Sequence, residues 1–259
     1  ARMSKITSEM LRDLKKEVVE FKPNFSADEV EPTVLPSRVP NLLINGTTGI
    51  AVGMACSFAP HQLGDTIDTI IEYIKNNDMT IEQMLDIIQG PDFPTGGVII
   101  NKNELLSAYQ TGKGRIRLRG KYNIEQTTKR GIKSDVLIFT EIPYGVNKER
   151  LLISISDLCE AKDIIGVSDL RDESNREGIR IVLELKQGVN GDVIAEKLFS
   201  KTLLETTFSI NNTCILEDRT PKTLSFKGII EHYVKHQQNI IRNRSIFELK
   251  KIEQRVNIL

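Results

Sequence analysis

The sequence predicts an α+β protein that ends in one long helix. Three observations carry this reading. Apolar residues recur at helical spacing over residues 61–76 and again from Leu224 onward. Between those stretches, residues 115–119 alternate with period two, and Val136, Leu137, Ile138 and Phe139 form a short apolar run bounded by polar residues. The 259 residues are 39% hydrophobic and 27% charged, ordinary for a globular chain and enough for one substantial core or two modest domains.

Residues 4–21 place Ile6, Met10, Leu14 and Val18 on one helical face, widened by Leu11 and Phe21, with Arg12, Lys15, Lys16 and Glu20 opposite. Pro23 ends that helix. Pro32, Pro36 and Pro40 then force extended chain, read as a crossing between subdomains. Gly46, Gly49 and Gly53 fall within eight residues and indicate tight turns or a close approach of backbone to something else. The helix over 61–76 offers Leu63, Ile67, Ile70, Ile71 and Ile74 as its apolar side, and Thr80 caps a second helix through Met84, Leu85 and Ile88. Residues 90–97, rich in glycine and proline, are irregular and lead into a strand over 98–100. Residues 102–186 alternate in a strand-like way, interrupted by a helix over 148–158 and followed by another over 191–200. Beyond Leu224, the residues Phe226, Ile229, Ile230, Tyr233, Val234, Ile240, Ile241, Phe247, Leu249, Ile252 and Val256 form one stripe on a helix of roughly 50 Å. No internal repeat or low-complexity segment interrupts the chain.

Lysine plus arginine total 35 and aspartate plus glutamate total 35, so no overall positive charge argues for nucleic acid. No run of eighteen apolar residues is present, which excludes a membrane-spanning helix. Cys56, Cys159 and Cys214 are scattered and odd in number, which fits a reducing compartment rather than a disulfide scaffold. The first and last residues both fall inside helical patterns, so the chain reads as a piece of a longer protein.

Charge is concentrated locally. Residues 102–130 hold eight basic residues (Lys102, Lys113, Arg115, Arg117, Arg119, Lys121, Lys129, Arg130) against Glu104 and Glu125, a local charge of +6. Such a surface either contacts phosphates or simply solvates one face of a sheet. Residues 38–50 match neither a phosphate loop nor a dinucleotide fingerprint, and a structural turn competes with a ligand site there. His232 and His236 share a helix face four residues apart, yet they lack a third ligand and the intervening glutamate of a zinc helix, so polar helix surface is the better account. His61 starts a helix, Cys56 reads as a small hydrophobe and Asp92 as a turn residue. No complete catalytic apparatus is legible.

Several strings in series change the picture. They are Pro36-Ser37-Arg38-Val39-Pro40-Asn41-Leu42-Leu43-Ile44-Asn45-Gly46, then Gly49-Ile50-Ala51-Val52-Gly53-Met54-Ala55, and Pro60-His61. Farther on come Gly90-Pro91-Asp92-Phe93-Pro94-Thr95-Gly96-Gly97, Glu141-Ile142-Pro143-Tyr144 with Val146-Asn147-Lys148, Asp172-Glu173-Ser174 with Gly178-Ile179-Arg180-Ile181, and Asn243-Arg244 with Phe247-Glu248-Leu249. Across essentially its whole length the chain resembles the A subunit of bacterial type IIA topoisomerases. Of the two branches, supercoiling gyrase and decatenating topoisomerase IV, residues 44–55 are closer to gyrase. Cys56 and Phe58-Ala59 depart from the family's usual polar and proline-containing neighbours without disturbing the glycine framework.

The resemblance implies the end of a winged-helix domain over 1–32, a mixed α/β tower domain over 33–222 and the start of a coiled-coil arm over 223–259. It implies ATP-dependent passage of double-stranded DNA through a transient break made by tyrosines that form 5′-phosphotyrosyl links. The partner B subunit would bring Mg²⁺ and ATP, this chain itself holding no cofactor or metal, and the complete assembly would be an A2B2 heterotetramer built on an A-subunit homodimer in the bacterial cytoplasm at the nucleoid. Ala1-Arg2 match the end of the Thr-Glu-x-Arg sequence that follows the nucleophile, so that tyrosine is expected three residues before Ala1, and the piece alone is expected to be inactive. Tyr73, Tyr109, Tyr122, Tyr144 and Tyr233 do not occupy its motif. Ile50 matches the isoleucine that wedges between base pairs; Lys5, Arg38, Asn45 and Thr48 fall at DNA-proximal positions; Lys113, Arg115, Arg117 and Arg119 match the tower surface that holds the outer DNA arm. A topoisomerase IV subunit, or a DNA-holding scaffold without turnover, remains the alternative.

Overall fold

The computed structural model describes residues 2–129 and 131–259. Ala1, in the match beside the expected nucleophile, and Arg130, at the end of the basic cluster, lie outside the described residues, as does the side chain of Lys129. The chain forms two compact units, one from the residues up to Gln89 together with Asn212–Leu259, the other from Gly90–Asn211. Mixed helices and antiparallel strands make the protein α+β, as the periodicities predict.

The helix expected over residues 4–21 is broken. Helix α1 spans only Lys5–Met10, and a single 3-10 turn follows at Leu14–Lys16. Asp13 and Glu17 flank that turn in left-handed backbone, φ 66° and 54°. Asp13 is held there by Lys16 at 2.9 Å and by Arg244, far along the chain, at 3.2 Å. The chain then makes a hairpin of β1 (Phe21–Pro23) and β2 (Val30–Pro32), followed by α2 (Asn41–Asn45) and a second hairpin of β3 (Thr47–Ala51) and β4 (Met54–Phe58).

Helix α3 (Leu63–Lys75) forms as expected, but it buries a different face. Thr66, Thr69, Ile70 and Tyr73 are buried, while Leu63, Ile71 and Ile74 are exposed. The two threonines can go inside because each hydroxyl donates to the carbonyl four residues back, Thr66 to Gln62 and Thr69 to Asp65, both at 2.7 Å. Helix α4 (Ile81–Ile88) carries a complete capping box: the Thr80 hydroxyl accepts from the Gln83 N–H, and the Gln83 side chain accepts from the Thr80 N–H. Replacing Thr80 with alanine is expected to cost about 1 kcal/mol in chemical denaturation, with Thr80→Ser close to neutral.

The second unit begins with β5 (Val98–Ile99) and α5 (Lys102–Thr111), a helix where the sequence predicts strand-like alternation. Gly112 closes it with φ 78°, and Leu105, Ala108 and Tyr109 are its buried face. Strand β6 (Lys113–Arg119) follows, then β7 (Lys121–Lys129) and β8 (Ile132–Glu141) as a hairpin, α6 (Lys148–Glu160), β9 (Val167–Asp172), β10 (Ile181–Leu185), α7 (Gly191–Lys201) and β11 (Glu205–Asn211). The antiparallel order β7-β8-β10-β9 makes one sheet. Its Leu137, Phe139, Ile181 and Leu183 join Leu151 and Ile155 of α6 and Ile194 and Leu198 of α7 in the unit's main core. Side chains two apart share a strand face, so the residues between, Val136, Ile138 and Val182, form a small cluster of their own. Strand β6 lies between β5 and β11, antiparallel to both.

The chain returns to the first unit through the hairpin of β12 (Thr213–Ile215) and β13 (Pro221–Thr223) and ends in α8 (Phe226–Ile258), a 33-residue helix capped by the Ser225 hydroxyl. The predicted stripe is buried only in its first half, at Phe226, Ile229, Ile230 and Ile240. Ile241, Leu249, Ile252 and Val256 are exposed.

Candidate nucleic-acid interface

The hairpin β3–β4 carries two of the predicted site residues, Thr48 and Ile50, and a third, Asn45, ends α2 just before it. Gly46 turns the chain out of α2 with φ 62° and ψ −177°, its N–H still bonded to the Leu42 carbonyl at 3.1 Å. Asn45, the last residue of α2, donates to the Asn41 side chain. Pairing then runs Thr48 with Ser57 and Ile50 with Ala55, and a two-residue turn at Val52 and Gly53 closes the loop. Gly53 has φ 82°, the handedness that tight hairpin turns need. Two residues apart on one strand, Thr48 and Ile50 project to the same side. Ile50 is 96% exposed and Val52 is fully so. The two residues thus form an exposed apolar tip at the end of the hairpin.

Arg38 and Lys5 belong to the same unit. Arg38 pairs with Glu9 of α1 at 3.2 Å, both side chains about half exposed, and Lys5 is exposed at the start of α1. An exposed pair of this kind is worth under about 1 kcal/mol, so an anion can take the arginine from the glutamate at small cost. The segment carrying Arg38 is fixed from α8. The Tyr233 hydroxyl donates to the carbonyls of Ser37 and Arg38 at 3.2 and 2.9 Å, and Gln237 donates to those of Pro36 and Ser37 at 2.8 and 2.9 Å. His236 bonds the Leu35 carbonyl through Nε2 at 3.0 Å. That anchoring role is what the spacing of His232 and His236 left unread. A mainly apolar cleft of about 670 Å³ lies beside these contacts, lined by Leu35, Leu43, Ile215, Tyr233 and His236 among others.

His61, at the foot of the hairpin, is buried against Phe226 with ring centroids 5.3 Å apart, and its Nδ1 donates to the Leu43 carbonyl at 2.8 Å. Burial pulls its imidazole down to about 4, with backbone hydrogen bonds at Leu43 and Ala59 offsetting part of that. In the unfolded chain the ring titrates at about 6.5. Between those values the unfolded chain binds the extra proton, so the contribution is fully present above about pH 6.5 and is lost as pH falls toward about 4. The loss amounts to about 3 kcal/mol in all. Ring NMR is expected to show His61 still neutral at pH 5. A ring that protonates with an ordinary midpoint would contradict its burial.

In the second unit the arginines stand as the alternation predicts, with Ile116 and Leu118 buried beneath them. The four cations are not equivalent. Arg117 and Arg119 both bond to Glu205 on β11, Arg119 also reaches Glu196 at 3.0 Å, and its guanidinium lies 4.7 Å from the centroid of Phe199. Lys113 and Arg115 form no ion pair among the described residues. Asn101 clamps the strand from the other edge, donating to the Arg115 carbonyl at 2.9 Å and accepting from the Arg117 N–H at 2.7 Å. Sequence reasoning missed Glu205 and its neighbours, although Glu205, Thr207, Ser209 and Asn211 alternate with Thr206, Phe208 and Ile210 in the same period of two.

Tyr144 is exposed and packs its ring on Phe93 and Phe208, while the other tyrosines are buried or hydrogen-bonded. Tyr109 and Tyr73 are buried, and Tyr122 donates to Asp192 at 2.8 Å, with burial first and Asp192 second raising its phenol to about 12. Among the described residues no three His, Cys, Asp or Glu side chains gather as a metal site, and no helix is long and apolar enough to cross a membrane. Cys56, Cys159 and Cys214 are free thiols, all half-buried.

Comparison with known proteins gives concordant results. The family of DNA gyrase/topoisomerase IV A subunits matches residues 1–259. The chain is 49% identical over 259 residues to the DNA gyrase A subunit of Clostridium acetobutylicum, covering all of this chain and 31% of that protein. It is 46% identical to the DNA gyrase A subunit of Buchnera aphidicola, again over all of this chain and 31% of the relative, and 42% identical to that of Pseudomonas aeruginosa, over 28% of the relative. The chain thus spans about 30% of the length of these relatives.

Proposed function

The chain belongs to the family of DNA gyrase/topoisomerase IV A subunits, and on that premise we propose that it is the DNA-holding and DNA-bending part of a gyrase breakage-reunion subunit. The reading divides it into the end of a winged-helix domain over 1–32, a tower domain over 33–222 and the start of a coiled-coil arm over 223–259. The observation that carries it is the 96% exposed Ile50 on a paired two-stranded hairpin of its own unit. An aliphatic side chain held out in water gains free energy by entering a base step. The hairpin's paired backbone keeps it from folding back, and a kinked duplex then lies on more protein surface. Asn45, Thr48, Arg38 and Lys5 would meet the adjoining phosphates, and the β6 face would hold the outer arm of the DNA.

Strand cleavage is assigned to a tyrosine three residues before Ala1 in the whole subunit, and none of the five tyrosines of this chain replaces it. Magnesium and ATP are assigned to the partner B subunit in an A2B2 assembly, which acts on DNA in the bacterial cytoplasm. Gyrase is favoured over topoisomerase IV because the relatives named above are gyrase subunits. The test is cleavage and supercoiling by the whole subunit with its B subunit, magnesium and ATP. A 5′-phosphotyrosyl adduct at that upstream tyrosine, with negative supercoiling of relaxed plasmid, is the expected result. Decatenation without supercoiling would move the chain to topoisomerase IV, and no adduct alongside a demonstrably active B subunit would leave only a scaffold.

A further inference from the structure

The exposed face shared by β6 and β11 has two unlike ends. Antiparallel register sets Lys113 opposite Asn211, Arg115 opposite Ser209, Arg117 opposite Thr207 and Arg119 opposite Glu205. Directly opposed residues project from the same side of a sheet, so a row of cations runs beside a row of hydroxyl and amide groups that ends in a carboxylate. Glu205 is only 14% exposed at its side chain and uses both oxygens: Oε1 accepts from Nε and Nη2 of Arg117, and Oε2 accepts from Nε of Arg119. Glu196 takes the outer nitrogens of Arg119, and Phe199 lies against its guanidinium. Burial works against the charge of Glu205, but the two arginines outweigh it and hold the carboxyl below its ordinary range. A phosphate arriving at that end meets two carboxylates, an Arg119 with all three nitrogens engaged and an Arg117 whose Nε and Nη2 are held by Glu205.

We infer that Glu205 divides this strand face, leaving Lys113 and Arg115, with Asn211 and Ser209 beside them, as the phosphate-contacting end and making Arg117 and Arg119 a structural clamp that the DNA backbone does not use. The inference rests on the DNA-holding reading and goes further, because sequence alternation treats the four cations alike. It adds Ser209 as a hydrogen-bond donor to the backbone, since such contacts fix register on a duplex without reading bases. Glu205 acts through the arginines as a positioning residue.

The experiment is the salt dependence of duplex binding by the whole A subunit, read as the slope of log affinity against log salt. Each neutralised phosphate contact changes that slope by about one. Arg115→Gln is expected to make it shallower by about one, and Arg119→Gln to leave it unchanged. If Arg119→Gln melts below the assay temperature, Arg117→Gln, less buried, carries the same comparison with the same expectation. Glu205→Gln is expected to steepen the slope by about one by freeing Arg117, and adding Arg117→Gln to it should restore the starting value. A purely structural Glu205 would not show that restoration. Equal losses of slope in Arg115→Gln and Arg117→Gln, or no steepening in Glu205→Gln, would overturn the division while leaving DNA holding intact. A wild-type protein with no salt-dependent duplex binding would instead remove the DNA-holding reading itself.

Discussion

Replacing Ile50 with alanine in the whole subunit is expected to lower cleavage of the gate duplex by about tenfold or more, a change of at least about 1.4 kcal/mol in the stabilisation of the cleaved, bent state. The side chain does little for the fold that carries it. At 96% exposure it contributes almost nothing to its own unit, so the substitution should move the thermal midpoint by the equivalent of no more than about 0.5 kcal/mol. What the variant loses is apolar volume offered to the duplex. Opening a base step costs a few kcal/mol, repaid only if something apolar fills the gap and the bend brings more backbone onto the protein. Leucine at the same position keeps that volume and should retain most of the activity. DNA bending measured by energy transfer between the duplex ends should fall in step with cleavage. Bending that is unchanged in the alanine variant would detach Ile50 from the reaction.

Gly46→Ala is expected to be severe for the opposite reason, because that residue is built into the fold. Its φ of 62° with ψ near 180° is a region that essentially only glycine occupies, and an added Cβ would overlap the carbonyl oxygen of Phe58 and press within 2.9 Å of the Pro60 nitrogen. Backbone strain and overlap with main chain that cannot swing aside together suggest a loss of about 3 kcal/mol or more. Gly53→Ala is the control. Its φ of 82° is also left-handed, but no atom lies within 4 Å of the added carbon, so only the backbone term applies, about 1 to 2 kcal/mol. Urea denaturation of the two variants separates strain from collision. Equal losses would mean that the crowding around Gly46 relaxes.

The features legible in the sequence are those whose cause is local. The cap at Thr80, the period-two arginines of β6, the irregular glycine and proline loop before β5 and the length of α8 all follow from residues within a few positions of one another. Other features depend on partners or chemistry that periodicity does not register. The first helix stops early where Asp13 is taken up by Arg244, more than two hundred residues away. Helix α3 presents threonines inward because their hydroxyls find carbonyls within their own helix, which a scale of residue hydrophobicity does not capture. Helix α5 is short and weakly amphipathic, with Lys102, Asn103, Glu104 and Gln110 diluting its apolar face, so alternation in the strands that follow masked it. At the candidate site, the glycines indicate a tight turn and the family motif singles out Ile50, but the pairing of β3 with β4 is not legible. The inequality of the arginines is not legible either, since it depends on a glutamate brought alongside only by strand pairing.

Helix α8 can also be considered as a mechanical part. Its restraints are confined to one portion of a rod roughly 50 Å long: Tyr233, His236 and Gln237 grip the carbonyls of residues 35–38, Asn243 donates to the Val18 carbonyl at 3.1 Å, and Glu248 meets Lys16 at 2.7 Å. Beyond Glu248 the rod extends for about three more turns as an overhang. Load applied at the overhang therefore has a fulcrum. It reaches the stretch of chain that leads into α2 and the hairpin through several side-chain contacts to successive main-chain carbonyls, which move with the backbone. The helix is geared directly to the peptide track that carries Arg38.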